Sequence, residues 1–241
     1  MDLKEKVILL TGTKRIGQTV AEELAKKGAN LAITYRSSQE ETEAVCSACL
    51  ASGVQATAFQ ADLSKEEDIK KLVLDVKQKF GRIDGLVHMA ANYPKSPLNQ
   101  VTLEDFTQTQ QIIGGSALLL AKHLAHKLEA GGKIIFFSDW SVLVKPYPEY
   151  HAYNMAKAGI NSLTKSLALE LAPRVTVNAI APGPILRPPD LSDEENKEAL
   201  AGTPLKRWGS AEEIAKAVLF LLEADFVTGV ILPVDGGRTI G

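Results

Sequence analysis

The chain alternates short apolar runs with amphipathic helical patterns along most of its length. A run such as Val7 to Leu10 is apolar at every position, which is typical of a strand buried on both faces of a parallel sheet. The patterns predict strands at 7–10, 30–35, 55–61, 85–90, 133–137, 175–180 and 229–234. They predict helices at 19–27, 40–51, 66–80, 103–128, 151–171 and 211–222. Strands that alternate with helices predict a parallel sheet covered on both faces and joined by right-handed crossovers.

A single domain accounts for all 241 residues. No linker rich in Pro, Gly or Ser divides the chain, and a hydrophobic content of 45% is enough to fill one large core. The sequence therefore predicts an α/β fold with one doubly wound parallel sheet over residues 1–241. The densest proline region begins at Pro182, between a predicted strand and a predicted helix. We interpret residues 183–205 as a substrate loop or lid.

Charge and hydropathy narrow the choice of partners. The formal net charge is -2 and no long block of like charge occurs, so nucleic acid and anionic membranes are not expected partners. The apolar runs reach about ten residues, well short of the roughly 20 that span a bilayer. The first residues are mixed in charge and resemble no signal peptide. We expect a cytoplasmic protein that acts on a small molecule.

The two cysteines, Cys46 and Cys49, form a C-x-x-C motif, the pattern of some redox and metal sites. No second cysteine pair accompanies it, and the four histidines are scattered without the spacing of metal ligands. Cysteines on one side of a helix are more often small apolar core residues. The sequence therefore predicts no metal site.

A glycine-containing turn, from Thr11 to Gly17, follows the first predicted strand. Gly12 and Gly17 would let the backbone turn tightly and approach a pyrophosphate, and the next helix would present its N-terminus to the phosphates. At this position in a strand–helix unit, the turn indicates a dinucleotide site. Lys14 and Arg15 lie within the turn and could contribute positive charge.

The end of the second strand distinguishes between nicotinamide cofactors. NAD-binding chains usually carry an acidic residue there, which holds the ribose hydroxyls. This chain has Arg36, Ser37 and Ser38 and no acid. Arg36 could bind a 2′-phosphate with help from Ser37, or it could be a solvated loop residue. The pattern favours NADP(H).

Tyr153 and Lys157 are separated by one helical turn, so a helix would place both side chains on one face. A nearby cation favours the phenolate, which predicts that Lys157 lowers the pKa of Tyr153 from about 10. Such a phenol suits proton transfer in carbonyl or imine reduction. Taken alone, the pair is also compatible with an exposed Lys and a half-buried Tyr.

Together these motifs, with the Ala181-Pro182-Gly183-Pro184-Ile185 segment, resemble the short-chain dehydrogenase/reductase family over nearly the whole chain. The resemblance implies a Rossmann-type fold, Tyr153 as general acid, and Lys157 as the residue that holds the nicotinamide ribose. It also implies a homo-oligomer, a tetramer or dimer. The further cofactor-binding positions that it implies are Ile16, Gly17, Asp62, Leu63, Ala90, Pro182, Gly183 and Ile185.

One segment resembles pteridine reductases in particular. Lys14-Arg15-Ile16-Gly17 is similar to their Lys-Arg-Leu-Gly, and Asp139 stands where most of the family has a catalytic Ser. The resemblance implies that Asp139 helps to protonate and orient a pterin, and Trp140 could stack on a flat ring. Alternatively, Ser138 or Ser141 performs the usual Ser function and Trp140 belongs to the core.

Other positions depart from the family pattern. The Gly turn is one residue short, and Ile113 stands in place of the Asn that usually holds a relay water. Three functions therefore stay open: an NADPH-dependent reductase of a carbonyl or pterin-like C=N, a 3-oxoacyl carrier-protein reductase, and a dinucleotide-binding sensor or scaffold with weakened catalysis.

Overall fold

The structure is a computed structural model that describes residues 1–188 and 191–241. The described residues form one seven-stranded sheet in the order β3-β2-β1-β4-β5-β6-β7, and every neighbouring pair is parallel. The strands are β1 Val7–Thr11, β2 Asn30–Tyr35, β3 Ala56–Gln60, β4 Gly85–His88, β5 Gly132–Phe137, β6 Val175–Pro182 and β7 Ile231–Val234. The predicted α/β fold with a doubly wound sheet is confirmed.

The helices cover both faces of this sheet. They are α1 Ile16–Lys26, α2 Gln39–Leu50, α3 Glu66–Phe80, α4 Leu103–Gln110, α5 Ser116–Leu124, α6 Ser141–Val144, α7 His151–Leu171, α8 Asp193–Ala201 and α9 Ala211–Glu223. Two cores result, one on each face. Helices α1, α2 and α9 pack in one core, and α3, α5 and α7 pack in the other.

The apolar residues Val7 to Leu10 of β1 are explained by the packing on the two faces of the sheet. Successive side chains of a strand point to opposite faces. Ile8 and Leu10 accordingly lie in the core with α1 and α9, whereas Val7 and Leu9 lie in the core with α3 and α5. Because both faces are covered, no position on the strand tolerates a polar side chain without a buried partner.

The strand order reverses between β1 and β4, and this reversal positions the site. The chain leaves β1 toward β2 on one side and later returns to β4 on the other. Connections that diverge in this way leave a crevice beyond the carboxyl ends of the strands. The predicted glycine turn after β1 and the Arg36 segment after β2 both lie at this edge.

The helix predicted at 103–128 is divided in the structure. A π-helical turn, Gln111–Gly115, separates α4 from α5. The backbone N–H of Ser116 donates to the Gln111 carbonyl instead of the Ile112 carbonyl, which would accept it in an α-helix. The Ser116 hydroxyl donates to the Ile112 carbonyl at 2.5 Å. A Cβ at Gly114 would meet nothing within 4 Å, and a Cβ at Gly115 would lie 3.4 Å from the Gln110 carbonyl oxygen, so the space around the turn does not itself require these two glycines. π-turns of this kind often lie at functional sites.

The prediction missed two helices, α6 and α8. Helix α8 lies within the predicted 183–205 lid, and its start carries a capping box in which Ser192 and Glu195 bond reciprocally. Residues 189 and 190 of that lid lie outside the described residues. The strand predicted at 229–234 starts only at Ile231, because Gly229 turns with a positive φ of 76°.

The packing agrees with the interpretation of the two cysteines as core residues. Cys46 and Cys49 are buried on α2, and burial raises the pKa of their thiols to about 11 and about 12, as expected of apolar core residues. Within residues 1–188 and 191–241, no three His, Cys, Asp or Glu side chains form a metal-binding group. Over the same residues, no helix combines the length and the apolar character needed to cross a bilayer.

Candidate active site

An open cleft of about 600 Å³ lies at the carboxyl ends of β1 to β4. Its volume is in the range of cofactor and small-molecule sites. The cleft collects most of the residues that the sequence analysis assigned to a dinucleotide, which come from four different strand ends. These are Gly12, Lys14, Arg15, Arg36, Ser37, Asp62, Leu63 and Ala90.

The glycine turn packs directly against the segment after β4. Gly12 has a φ of 81°, and a Cβ at this position would lie 2.7 Å from the backbone N of Ala90. The hydroxyl of Thr11 accepts a hydrogen bond of 3.3 Å from the same N–H. Only glycine fits this close approach, because any Cβ would clash with the Ala90 backbone. A bare backbone of this kind also lets a phosphate approach closely.

Ile16 and Gly17 start helix α1, behind the wall of the cleft. The N–H of Gly17 donates to Lys14 O at 3.3 Å, and no side chain caps the helix. The capping residue is Arg15, which has a φ of 60°. No side chain therefore covers the positive end of α1, which directly follows the cleft-lining residues Lys14 and Arg15, as a phosphate site requires.

Three basic residues line the cleft: Lys14 and Arg15 after β1, and Arg36 after β2. Lys14 lies 3.7 Å from the carboxylate of Glu41, and both side chains are exposed. Within the described part of the chain, Arg36 has no carboxylate inside ion-pair distance. Asp62 faces the same region, and the hydrogen bond from the Ser64 hydroxyl is the main cause that lowers the pKa of this carboxyl.

Tyr153 and Lys157 lie on successive turns of α7, as predicted. The Tyr153 hydroxyl donates to Asp139 Oδ2 at 2.7 Å, and Asp139 Oδ1 accepts the Ser141 N–H at 2.8 Å. The Lys157 ammonium donates to the Phe137 carbonyl at 2.7 Å and lies 5.7 Å from the centre of the Tyr153 ring. Strand β5 and helix α7 thus bring the three predicted catalytic side chains together.

The pKa of Tyr153 moves in the opposite direction to the prediction. Burial and the adjacent Asp139 carboxylate both disfavour the phenolate, and they raise the pKa of Tyr153 despite the neighbouring ammonium. Burial also lowers the pKa of Lys157 to about 8. The prediction that Lys157 lowers the pKa of Tyr153 is therefore wrong for this structure, because sequence spacing shows the cation but not the burial or the carboxylate.

Asp139, and neither nearby serine, contacts the Tyr153 hydroxyl. Ser138 donates to the Lys157 carbonyl at 3.4 Å, and the Ser141 hydroxyl is buried without a partner in the described structure. This geometry favours Asp139 over the serines as the side chain that orients the phenol.

Trp140 does not present a free ring face to a substrate. The side chain is 6% exposed, its indole N–H donates to the Tyr147 hydroxyl at 2.7 Å, and the Arg238 guanidinium covers the ring at 4.5 Å. The prediction that Trp140 stacks on a flat substrate is corrected: it packs in the wall behind Asp139. A tryptophan next to a catalytic position suggested stacking, but its partners come from distant segments.

The segment after β6 lies beside this wall. The Pro182 carbonyl accepts a hydrogen bond of 3.2 Å from the backbone N–H of Trp140. The backbone N–H of Gly183 donates to Val234 O at 3.0 Å. Ile185 is buried, and the Arg15 guanidinium reaches the Leu186 carbonyl at 3.3 Å. Pro182 therefore contacts the segment that carries Asp139, whereas Ile185 lines a second cavity, and none of Pro182, Gly183 and Ile185 lines the cleft at the ends of β1 to β4.

Ile113 lies in the core, and a histidine anchors the turn that contains it. His88 contacts the Thr11 hydroxyl at 2.8 Å and the Ser116 hydroxyl at 2.9 Å. Burial lowers the pKa of His88 to about 3, so the ring stays neutral. Because Ser116 also holds the π-turn, this network fixes the turn without the usual Asn. The sequence analysis did not assign His88, since its partners lie on other elements.

Comparison with known proteins identifies the family of this chain. The family profile described as Enoyl-(Acyl carrier protein) reductase matches residues 12–239. The hydroxynaphthalene reductase arp2 of Aspergillus fumigatus is 35% identical, over 95% of this chain and 90% of that protein. A short-chain dehydrogenase/reductase of Serratia marcescens superposes with a TM-score of 0.93 at 30% identity, over 99% and 100% of the two chains. This chain belongs to the short-chain dehydrogenase/reductase family.

Members of this family are oxidoreductases that use a nicotinamide dinucleotide, and two structural relatives show both forms of it. A blue fluorescent protein from a metagenomic library, in complex with NADPH, superposes with a TM-score of 0.92 at 30% identity, over 99% of each chain. An NAD+-bound xylitol dehydrogenase superposes at 0.89 with 28% identity, over 98% and 100% of the chains. Pteridine reductase is not among these relatives, so that narrower assignment stays a prediction.

Proposed function

We propose that this protein is an NADPH-dependent reductase that transfers hydride to a carbonyl or pterin-like C=N carbon, with Tyr153 as the proton donor. The observation that carries the proposal is the hydrogen-bonded Tyr153–Asp139–Lys157 group after β5, next to the strand ends β1 to β4 whose cleft is lined by Arg36. A binding protein has no need of a hydrogen-bonded phenol, carboxylate and lysine at such a place. The sensor function is therefore the weaker alternative.

The residues of the cleft fit NADP(H). The close approach at Gly12 and the start of α1 suit the pyrophosphate, and Arg36 with Ser37 suits a 2′-phosphate. Asp62 and Leu63 line the cleft and would border the adenosine, and Lys157 would hold the nicotinamide ribose. When bound, the cofactor supplies the hydride.

The chain's own groups control the proton. A raised pKa keeps Tyr153 protonated at neutral pH, and Asp139 orients its O–H beside the substrate. When the phenol gives its proton to the substrate oxygen or nitrogen, the Lys157 ammonium offsets the negative charge left behind. The free lone pairs of Asp139 can accept an O–H or N–H of the substrate, which suits a pterin amino group.

Capture of NADPH should depend on the charge of Lys157. Because burial lowers the pKa of Lys157 to about 8, the ammonium is present below this pH and is lost above it. We expect kcat/KM for NADPH to fall as the pH rises through about 8. Tyr153 stays protonated over this range, so the fall in kcat/KM is caused by the loss of the charge on Lys157. A kcat/KM that stays flat from pH 7 to about 10.5, the free lysine value, would refute the assignment.

Replacing Arg36 should weaken NADPH far more than NADH. Charge-assisted hydrogen bonds contribute about 1.5–3 kcal/mol, so Arg36→Ala should raise the Kd of NADPH roughly 10- to 100-fold. The Kd of NADH should change less than about twofold, because NADH has no 2′-phosphate. Titration of both cofactors by fluorescence measures this. Lys71→Ala, on the exposed face of α3, is the control. Equal weakening of the binding of both cofactors would contradict the proposal, and so would tighter binding of NADH than of NADPH by the unaltered protein.

The 3-oxoacyl carrier-protein function would need basic residues at the mouth of the site to meet an acidic carrier. Arg187 instead pairs with Asp193 at 3.1 Å, and the first turn of α8 adds Glu194 and Glu195. A panel assay with NADPH and dihydrobiopterin, acetoacetyl thioester and simple diketones separates the candidates. NADPH binding with no oxidation on any substrate would favour the sensor.

A further inference from the structure

Four of the chain's five tyrosines gather around Asp139, and the proposed chemistry uses only one of them. Tyr93 lies in the loop after β4. Tyr147 and Tyr150 lie in the loop between α6 and α7, just before Tyr153. Nothing in their spacing shows that these residues meet, so the sequence analysis did not include them.

Tyr93 forms the outer wall of this group. Its ring stacks on Tyr150 at a centroid distance of 4.3 Å and an angle of 17°, and it lies perpendicular to the Tyr153 ring at 4.7 Å. Tyr93 is 52% exposed, whereas Tyr153 is 6% exposed. An aromatic surface is therefore open to solvent directly beside the proposed proton donor.

Hydrogen bonds pin together the two loops that carry this wall. The Ser96 N–H donates to Glu149 O at 2.5 Å, and the Ala152 N–H donates to the Ser96 hydroxyl at 3.0 Å. Ser96 is buried and forms a bridge with Tyr150. Because the wall is formed in advance, binding a flat ring against it costs little ordering entropy.

The charge beside the wall limits the kind of ring. Asp139 accepts the Tyr153 hydroxyl at 2.7 Å, and the centre of the Tyr153 ring lies 4.7 Å from that of Tyr93, so a carboxylate lies close to this wall. A carboxylate at this distance disfavours an anionic ligand and favours a ring that bears O–H or N–H donors. Aromatic rings also stack on flat conjugated systems more favourably than on acyclic chains.

We propose that Tyr93, supported by Tyr150, is a specificity-determining residue that selects flat, fused-ring ketones or imines over acyclic ones. This inference rests on the proposed reductase function, because the wall acts only on a substrate whose reacting carbon lies beside Tyr153.

Two diketones with the same reacting group test the proposal. Phenanthrenequinone is flat and fused, and diacetyl is small and acyclic. With NADPH, Tyr93→Ala should lower the ratio of kcat/KM for the quinone to that for diacetyl about tenfold. Tyr93→Phe keeps the ring and should restore the ratio. Phe226→Ala, which removes a fully exposed ring elsewhere, is the matched control; a ratio in Tyr93→Ala within about twofold of the unaltered protein would overturn the proposal.

A binding measurement separates this inference from the proposed function. Naphthol carries a flat ring and an O–H but no reducible carbonyl, so its affinity needs no turnover. Calorimetric titration into the NADPH-loaded protein should show a Kd about tenfold weaker in Tyr93→Ala than in Tyr93→Phe. If the unaltered protein reduces neither these diketones nor any other substrate of the panel, the reductase function fails. An unchanged naphthol Kd in Tyr93→Ala overturns the proposed role of Tyr93 alone.

Discussion

Tyr153→Phe should lower kcat about 10²- to 10⁴-fold, which is the usual contribution of a positioned general acid. The change removes one hydroxyl, whose hydrogen bond to Asp139 is 2.7 Å long. The ring keeps its packing against Tyr93, so we expect the fold and the cofactor cleft to stay intact. Steady-state oxidation of NADPH with a flat diketone measures the loss, and fluorescence titration should give an NADPH Kd within about twofold of the original.

The control for this variant lies on the same helix. Ser166→Ala also removes one hydroxyl from α7, but Ser166 is exposed and bonds only to Leu163 O at 3.1 Å. Its kcat should be unchanged. Turnover of Tyr153→Phe within about threefold of the unaltered protein would remove Tyr153 from the mechanism. A loss of NADPH binding in that variant would show instead that the phenol serves the cofactor site.

Lys157→Met should abolish most turnover and yet stabilise the protein at pH 7. Burying the ammonium lowers the pKa of Lys157 from 10.5 to about 8, which costs about 3 kcal/mol of folding free energy at neutral pH. Methionine has a similar length and carries no charge. Its gain is offset by about 1–2 kcal/mol for the lost hydrogen bond to the Phe137 carbonyl. We expect the free energy of unfolding to rise by about 1–2 kcal/mol.

The sign of the pH dependence supplies a second readout. Between about pH 8 and pH 10.5, the unfolded chain holds the Lys157 proton and the folded chain does not. Stability therefore rises with pH across this window, and Lys157→Met should remove that rise. Urea unfolding at several pH values measures both effects. Lys165→Met, an exposed position on the same helix, is the control; a Lys157→Met protein that is destabilised by more than about 2 kcal/mol would show that the lysine serves the fold.

The fold could be predicted from the sequence because its signals are local and repeated. In β1, Val7 to Leu10 are all apolar, since each of these residues faces one of two cores. The glycine turn and the Tyr153–Lys157 spacing are likewise local, and the structure brings both to the site. The structure differs from the prediction where contacts between distant residues determine the local conformation. The π-turn depends on the Ser116 hydroxyl and its His88 partner, which are far apart in the chain.

The electrostatics of the site could not be predicted from spacing. The Tyr153–Lys157 interval shows a cation near a phenol, but burial and Asp139 raise the pKa of Tyr153. The environment of Trp140 could not be predicted from the sequence either. Its position next to Asp139 suggested contact with the substrate, but the Arg238 guanidinium from the C-terminal segment covers its ring. Tyr93 was missed for the same reason, because only the folded chain stacks it on Tyr150.

A crystal structure with bound NADPH would test the central claim most directly. Our account predicts the nicotinamide ring beside the Tyr153 hydroxyl, its ribose within hydrogen-bond distance of Lys157, and the 2′-phosphate against Arg36. Reacting groups poised for transfer lie about 3–3.5 Å apart, which leaves room for a substrate carbonyl between the ring and the phenol. A Tyr153 hydroxyl directed away from the nicotinamide, or a dinucleotide bound outside this cleft, would contradict the account.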